Sequence, residues 1–263
     1  MLGNDITQRA VDDIIAASQN GCLHVATDPR VIAEINNVLA QDTTSIFDVA
    51  QVIRTEPVLA AKIMQVANSA LLCLQPCSSL NDGISRLGMS IVRNLAMCIL
   101  LKNAFNTQHS RLEEVMNEVT RSTSLIAGIC GAISKEHAKL KTDVAVLVGL
   151  MSNIGKMAAL AYIDANYSAD QIERMYIHDV INLVNPRVGR SILTRWGMPQ
   201  PIIDAAFSDG VCDTVRSVKT YKDVAILARL HDRGHTDQQT AVEIGNLLHV
   251  HRNSIEEFLK LIR

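Results

Sequence analysis

Aromatic residues are scarce: one Trp, four Tyr and four Phe make up 3% of the 263 residues. The core must therefore be built from Leu, Ile, Val, Ala and Met. Paired cysteines are missing too. Cys22, Cys73, Cys77, Cys98, Cys130 and Cys212 contain no CxxC pair, and most lie in apolar surroundings. They read as small buried hydrophobes in a reducing compartment, not as a disulfide framework or a zinc site. Pro76 between Cys73 and Cys77 argues against one helical turn presenting both. There is little net charge: −2, with a pI near 6.4, leaves no electrostatic footprint for nucleic acid. No apolar run reaches the roughly 18 residues of a membrane span. The MLGNDITQRAVDD start carries acids and no apolar signal-peptide core, so a cytoplasmic protein is expected. Strand-like alternation, fixed-period repeats and low-complexity tracts are likewise absent. What remains is a chain 48% hydrophobic with six prolines, suited to helix-on-helix packing.

The helices can be placed in order. Residues 5 to 18 form an amphipathic helix with Ile6, Ala10, Val11, Ile14 and Ile15 on one side, stopped at Asn20-Gly21. Asp28-Pro29 starts a second helix, carrying Ile32, Ile35, Val38 and Leu39. Ser45 and Asp48 make a capping box before Ile46, Val49, Val52 and Ile53. EPVLAAKIMQVANSALL, from Glu56 to Leu72, is apolar around most of its circumference, with Pro57 at the first turn. A helix near 80 to 87 ends at Gly88, and Ser90 begins another with Val92, Leu95, Ala96, Ile99 and Leu100 as its stripe. Residues 111 to about 138 change from charged to apolar midway, so the inner half enters a core. Thr142-Asp143 starts the most apolar helix, interrupted by Ser152-Asn153. Asn185-Pro186 reads as the start of a helix to Trp196, closed by Gly197 before Pro199. Helices near 218 to 232, 237 to 247 and 253 to 262 form a more charged C-terminal extension.

Four of these stretches resemble one family. EPVLAAKIMQVANSALL is similar to the signature helix of the HDOD family, roughly D-P-x-L-x-x-K-L-L-x-x-x-N-S-A, with Glu56 where Asp is usual. CSSLNDGISRLG resembles its I-S-S-L-x-x-A-I-x-x-L-G, GLMSNIGK its G-L-L-H-D-I-G-K, and VGRSILTRWGMP its V-G-A-x-L-L-x-x-W-x-L-P. The signature residues carried over are Glu56, Pro57, Asn68, Ser69, Gly88, Trp196 and Pro199. The resemblance covers about residues 23 to 209. It implies an all-α bundle of the HD-domain phosphohydrolase type with extra N-terminal and C-terminal helices. The expected division is an N-terminal helix over 1–22, an HDOD-like domain over 23–210 and a helical extension over 211–263. Within the domain, a helical half (23–108) precedes a degenerate HD-like half (109–210).

In catalytic HD proteins, His and Asp side chains hold a divalent metal that activates water against a phosphoester. Such ligands must be imidazole or carboxylate. Here the HD pair corresponds to Ser152-Asn153. The upstream His falls at Arg121, or at Ser122 one residue on. The His before the V-G-A segment corresponds to Pro186, and the terminal His pair to Ser208-Asp209. The resemblance therefore implies a member without catalytic residues, metal or cofactor. Ser152 and Asn153 are expected to satisfy local hydrogen bonds, with a remodelled small-ligand pocket as the alternative.

Three features need weighing against simpler readings. His231-Asp232 with His235 has metal-pair spacing on a helix, but Gly234 intervenes and a solvated helix end is favoured. The tail QQTAVEIGNLLHVHRNSIEEFLKLI suggests helix-turn-helix, yet Glu256 and Glu257 would face phosphates, so a helical hairpin is preferred. Asn68 and Ser69 are expected to bridge their helix end to the next loop. The function expected is a non-enzymatic bacterial regulatory module that binds another signalling protein or a small ligand. Nucleic acid and membrane are not expected as partners, and homo-oligomer formation is left open. Residual phosphohydrolase or nucleotide binding, and DNA-linked regulation through the tail, are the alternatives.

Overall fold

Short polar signals punctuate long apolar helices, and several helix starts follow them. The computed structural model describes residues 5–20, 23, 37–38, 44–55, 57–68, 77, 79–105, 107–210, 212 and 214–250. The elements are α1 (Asp5–Asn20), α2 (Ile46–Arg54), α3 (Pro57–Ala67), α4 (Leu80–Leu87), α5 (Met89–Ala104), α6 (Ser110–Lys135), α7 (Thr142–Met151) and α8 (Ile154–Asn166). They continue with α9 (Ala169–Glu173), α10 (Ile177–Arg195), α11 (Gln200–Ala206), a 3-10 turn (Val215–Ser217), α12 (Tyr221–Asp232) and α13 (Gln238–Val250). Among the described residues there is no strand. Ser45–Asp48, Ser79–Asp82 and Thr220–Asp223 each close a reciprocal capping box, satisfying orphan N–H groups at a helix start.

The Asp28-Pro29 helix start, Gly21, Glu56, Ser69 and the helix expected over 253–262 lie outside the described residues. Gly88 joins α4 to α5 at φ +80°, a conformation glycine adopts without strain. Trp196 is fully buried at the end of α10, and Pro199 precedes α11.

Among the described residues, two apolar clusters hold the bundle. The larger runs from Ala10 and Ile14 on α1 through Ile63, Ile84 and Leu95 to Val188 and Leu193 on α10. The smaller joins the inner half of α6 (Ile129, Cys130, Ile133) to Val224 and Leu227 on α12 and Ile244 on α13. Helix α6 behaves as its pattern requires: its buried positions are spaced along one face as far as Thr123, then become continuous from Ile126 to Ser134. Cys77, Cys130 and Cys212 are buried, and burial pushes the Cys130 thiol up to about 12. The apolar stretch Thr142–Asn166 is long enough to cross a membrane by length and composition, but 83% of its most apolar window is buried inside the fold.

One helix start is corrected. Asn185-Pro186 does not begin a helix; both lie inside α10, which starts at Ile177. Ile177, Val180, Ile181, Val184 and Val188 keep a helical period across the proline, and all are buried. Packing of that face outweighs the hydrogen bond that Pro186 cannot donate to the Asn182 carbonyl.

Asn68 closes the turn after α3. Its Oδ1 accepts the Cys77 N–H at 2.6 Å, and its Nδ2 donates to the Cys77 carbonyl at 3.4 Å. The carbonyl of Ala67 accepts from Arg86 at 3.0 Å. Asn68 thus ties the end of α3 to the entry of α4, the local role expected for it. Asn68→Ala is expected to cost about 1–2 kcal/mol in denaturant unfolding, because the Cys77 N–H loses its acceptor. An unchanged midpoint would show that the bridge contributes nothing.

Candidate functional site

The apolar stretch that starts at Thr142 is not one helix. It breaks at Ser152-Asn153, where the HD pair would stand, and resumes as α8. Ser152 Oγ donates back to the Gly149 carbonyl at 2.7 Å. The broken ends are stitched by Asn185 of α10: its Nδ2 donates to the Ser152 carbonyl at 2.9 Å, and its Oδ1 accepts the Lys156 N–H at 3.1 Å. One amide side chain thereby gives the Ser152 carbonyl a donor and adds a second acceptor to the Lys156 N–H, which also donates to the Asn153 carbonyl at 3.0 Å. Asn153, 3% exposed, donates to Ser122 Oγ at 3.2 Å and Thr123 Oγ1 at 3.1 Å on α6. Ser122 Oγ in turn donates to Asp232 at 2.6 Å, and Thr123 Oγ1 to the Val119 carbonyl at 2.7 Å.

Beside this network lies a cavity of about 130 Å³. Ser152, Pro186, Ser208 and Asp209 line it, so four of the six positions picked from the sequence converge. Asn153 sits behind the wall. Arg121 stays outside: it is exposed and donates its Nε to the Asn117 carbonyl at 3.4 Å. Ser122 occupies the place considered for Arg121, because a one-residue step on a helix turns the side chain by about 100°. Ser208 Oγ donates to the Ala205 carbonyl at 2.9 Å, and Asp209 is exposed at the rim.

The His231-Asp232 pair is more than a solvated helix end. Asp232 is half-buried and reaches the network through Ser122, whereas His231 Nδ1 lies 3.3 Å from Thr236 Oγ1 and His235 is exposed. Lys156, Asn182, Arg229 and Arg233 also line the cavity, and sequence reasoning gave them no role. The signal for the arginines was available. Arg229 and Arg233, the residue that caps α12, are four apart and hence on one side of that helix end.

The cavity is cationic. The guanidinium of Arg229 donates to the carbonyls of Ala206 and Ser208, which fixes it in place. Burial holds its pKa below the usual arginine value, with Arg233 adding to the effect. Burial also pushes the Lys156 amine down; Arg233 and Arg229 push the same way, and Asp232 opposes them. Neither Lys156 nor Arg233 forms an ion pair among the described residues.

The HD fold implies a divalent metal, and these residues do not fit one. The positions that should supply imidazole and carboxylate carry hydroxyls, an amide, a proline ring and a single carboxylate. Three cationic side chains stand where a metal would need anions. Among the described residues, no group of three or more His, Cys, Asp or Glu side chains comes together.

An all-helical bundle with an HD-type site at a helix break, lacking the HD ligand set, is the class that fold and site define. The chain belongs to the HDOD family, whose domain profile matches residues 25–209. Solved structures share the fold. A Shewanella amazonensis SB2B protein provisionally named a metal-dependent phosphohydrolase aligns with TM-score 0.69 at 20% identity, covering 99% of this chain and 100% of that one. A Marinobacter aquaeolei VT8 protein provisionally named a signal transduction protein gives 0.64 at 17% identity, covering 100% and 67%. An HDOD domain protein from Geobacter sulfurreducens gives 0.55 at 18%, covering 88% and 80%. Among curated proteins none matches.

Proposed function

We infer that this protein is a non-catalytic regulatory module of the cytoplasm, acting through a signalling protein or a small ligand, with the metal chemistry of its fold lost. One observation carries the reading. The cavity at the HD position has Lys156, Arg229 and Arg233 on its walls, and at the ligand positions that line it stand two hydroxyls, a proline and the single carboxylate of Asp209. A divalent ion entering it would meet like charge and find too few anionic donors. HDOD membership supports a signalling role. The reading through the tail gains little, since α13 carries neither Lys nor Arg.

The test is metal content and turnover. Purified protein is expected to hold no stoichiometric Mn²⁺, Fe²⁺, Mg²⁺ or Zn²⁺. It is expected to hydrolyse no phosphomonoester, phosphodiester or cyclic dinucleotide above blank with those metals added. Stoichiometric metal, together with turnover that Asn153→Ala removes, would establish a phosphohydrolase instead.

A further inference from the structure

We propose that the cavity between α8, α10, α11 and α12 is a metal-free receptor for a phosphate dianion, free or as the head of a small phosphomonoester. The inference rests on the non-catalytic reading above and names the ligand class for that site.

Charge is the first argument. The protein as a whole carries a formal −2, yet Lys156, Arg229 and Arg233 line a single cavity. Among the described residues, two carboxylates are near enough to matter. Asp209 stands at the exposed rim, and Asp232 already accepts the Ser122 hydroxyl. Neither forms an ion pair with any of the three cations. Three like charges gathered in a partly buried space raise one another's cost of ionisation, and an entering dianion relieves all of them at once.

Donor geometry is the second. Two carbonyls hold Arg229 and leave three of its five N–H donors unspent. Its position is thus set before a ligand arrives, which lowers the cost of binding. Among the described residues no carboxylate takes up the donors of Lys156 or Arg233, and the Asn182 amide adds a neutral one on the α10 wall. Charge-assisted bonds from such groups are the strong kind for phosphate.

Size is the third. A cavity of about 130 Å³ admits a phosphoryl group and a few attached atoms. The Asp209 carboxylate at its mouth works against the anion and sets an upper limit on affinity.

Isothermal titration of the full chain with inorganic phosphate, glycerol phosphate and a nucleoside monophosphate tests this. Saturable binding is expected, weakened about tenfold by Lys156→Gln or Arg233→Gln. Asp209→Asn should tighten it about threefold, and Arg121→Gln, outside the cavity, should leave it unchanged. Tighter binding of the esters than of inorganic phosphate identifies a phosphomonoester as the ligand; the reverse order identifies free phosphate. Circular dichroism checks each variant, and Arg233, exposed on the rim, carries the test if Lys156→Gln fails to fold. Absence of saturable binding at millimolar phosphate, or equal weakening by Arg121→Gln, overturns the proposal. If neither binding nor turnover is seen, only this inference falls. If bound ester is hydrolysed with added metal, it is the non-catalytic reading that falls.

Discussion

Gly155→Ala is expected to destabilise the protein by at least about 3 kcal/mol and to lower its melting temperature by roughly 6–12 °C. A Cβ on Gly155 would lie 2.3 Å from the backbone oxygen of Asn185, 2.8 Å from its Oδ1 and 2.9 Å from its Cα. No rotamer change relieves a clash with backbone, so α8 and α10 must move apart. The same movement would break the amide bridge from Asn185 to the Ser152 carbonyl and the Lys156 N–H. Gly245→Ala is the control. Its Cβ would meet nothing within 4 Å, and in the interior of α13 it should stabilise by about 0.5–1 kcal/mol. Thermal unfolding of the two variants decides the matter. Equal stability of Gly155→Ala and the parent would show that the helices pack more loosely than described.

That glycine also shows what could be read before the structure was known. GLMSNIGK pointed to the site as a motif, but its physical content lies in contacts distant in sequence. Gly149 lets α7 approach the Ala127 backbone of α6, where a Cβ would come within 2.6 Å, and Gly155 does the same for α8 and α10. Local signals were legible where chemistry is local. Ser45 with Asp48 gave a capping box, Gly88 a sharp junction, and the polar pair at 152 and 153 a break in an apolar stretch. Pro186 misled because proline favours a first turn, while the buried face from Ile177 to Val188 prevailed. The choice between Arg121 and Ser122 needed the rotation of α6 against α7, which pattern alone does not define.

The basic wall was hidden for another reason. After residue 211 the sequence is rich in charge and reads as solvated. Yet α12 packs on α6 and α11 and turns Arg229 and Arg233 toward the cavity. These residues lie beyond the family segment 25–209, so the motifs that located the site could not supply them. The charged extension is thus a structural part of the site, and Asp232, expected at a solvated helix end, belongs to its hydrogen-bond network.

Asn153→Asp restores the acidic member of the HD pair, and it is expected to cost about 3 kcal/mol near pH 8. The reason lies in the protons around it. Asn153 donates to two hydroxyls, and both hydroxyl protons are already given away, from Ser122 to Asp232 and from Thr123 to the Val119 carbonyl. A carboxylate here would be buried without donors, one hydroxyl removed from Asp232. Burial and the neighbouring Asp232 would raise its folded-state pKa above the ordinary value of about 4, with the cations of the adjoining cavity offsetting only part of the rise. Between the unfolded and folded pKa values the native state would then bind more protons than the unfolded chain, so stability falls as pH rises through that window. The penalty relative to the parent should therefore be small at about pH 4 and below, be roughly half developed near pH 5 and level off above the folded pKa. Urea unfolding of both proteins across that range measures it. Added Mn²⁺ should return none of the loss, because the cationic wall opposes the ion, Ser152, Pro186 and Ser208 offer no imidazole or carboxylate to share it, and Asp209 alone, at the exposed rim, adds too few donors. Recovery of stability by Mn²⁺, or an Asn153→Asp protein as stable as its parent at pH 8, would mean that the site still accommodates the ancestral metal.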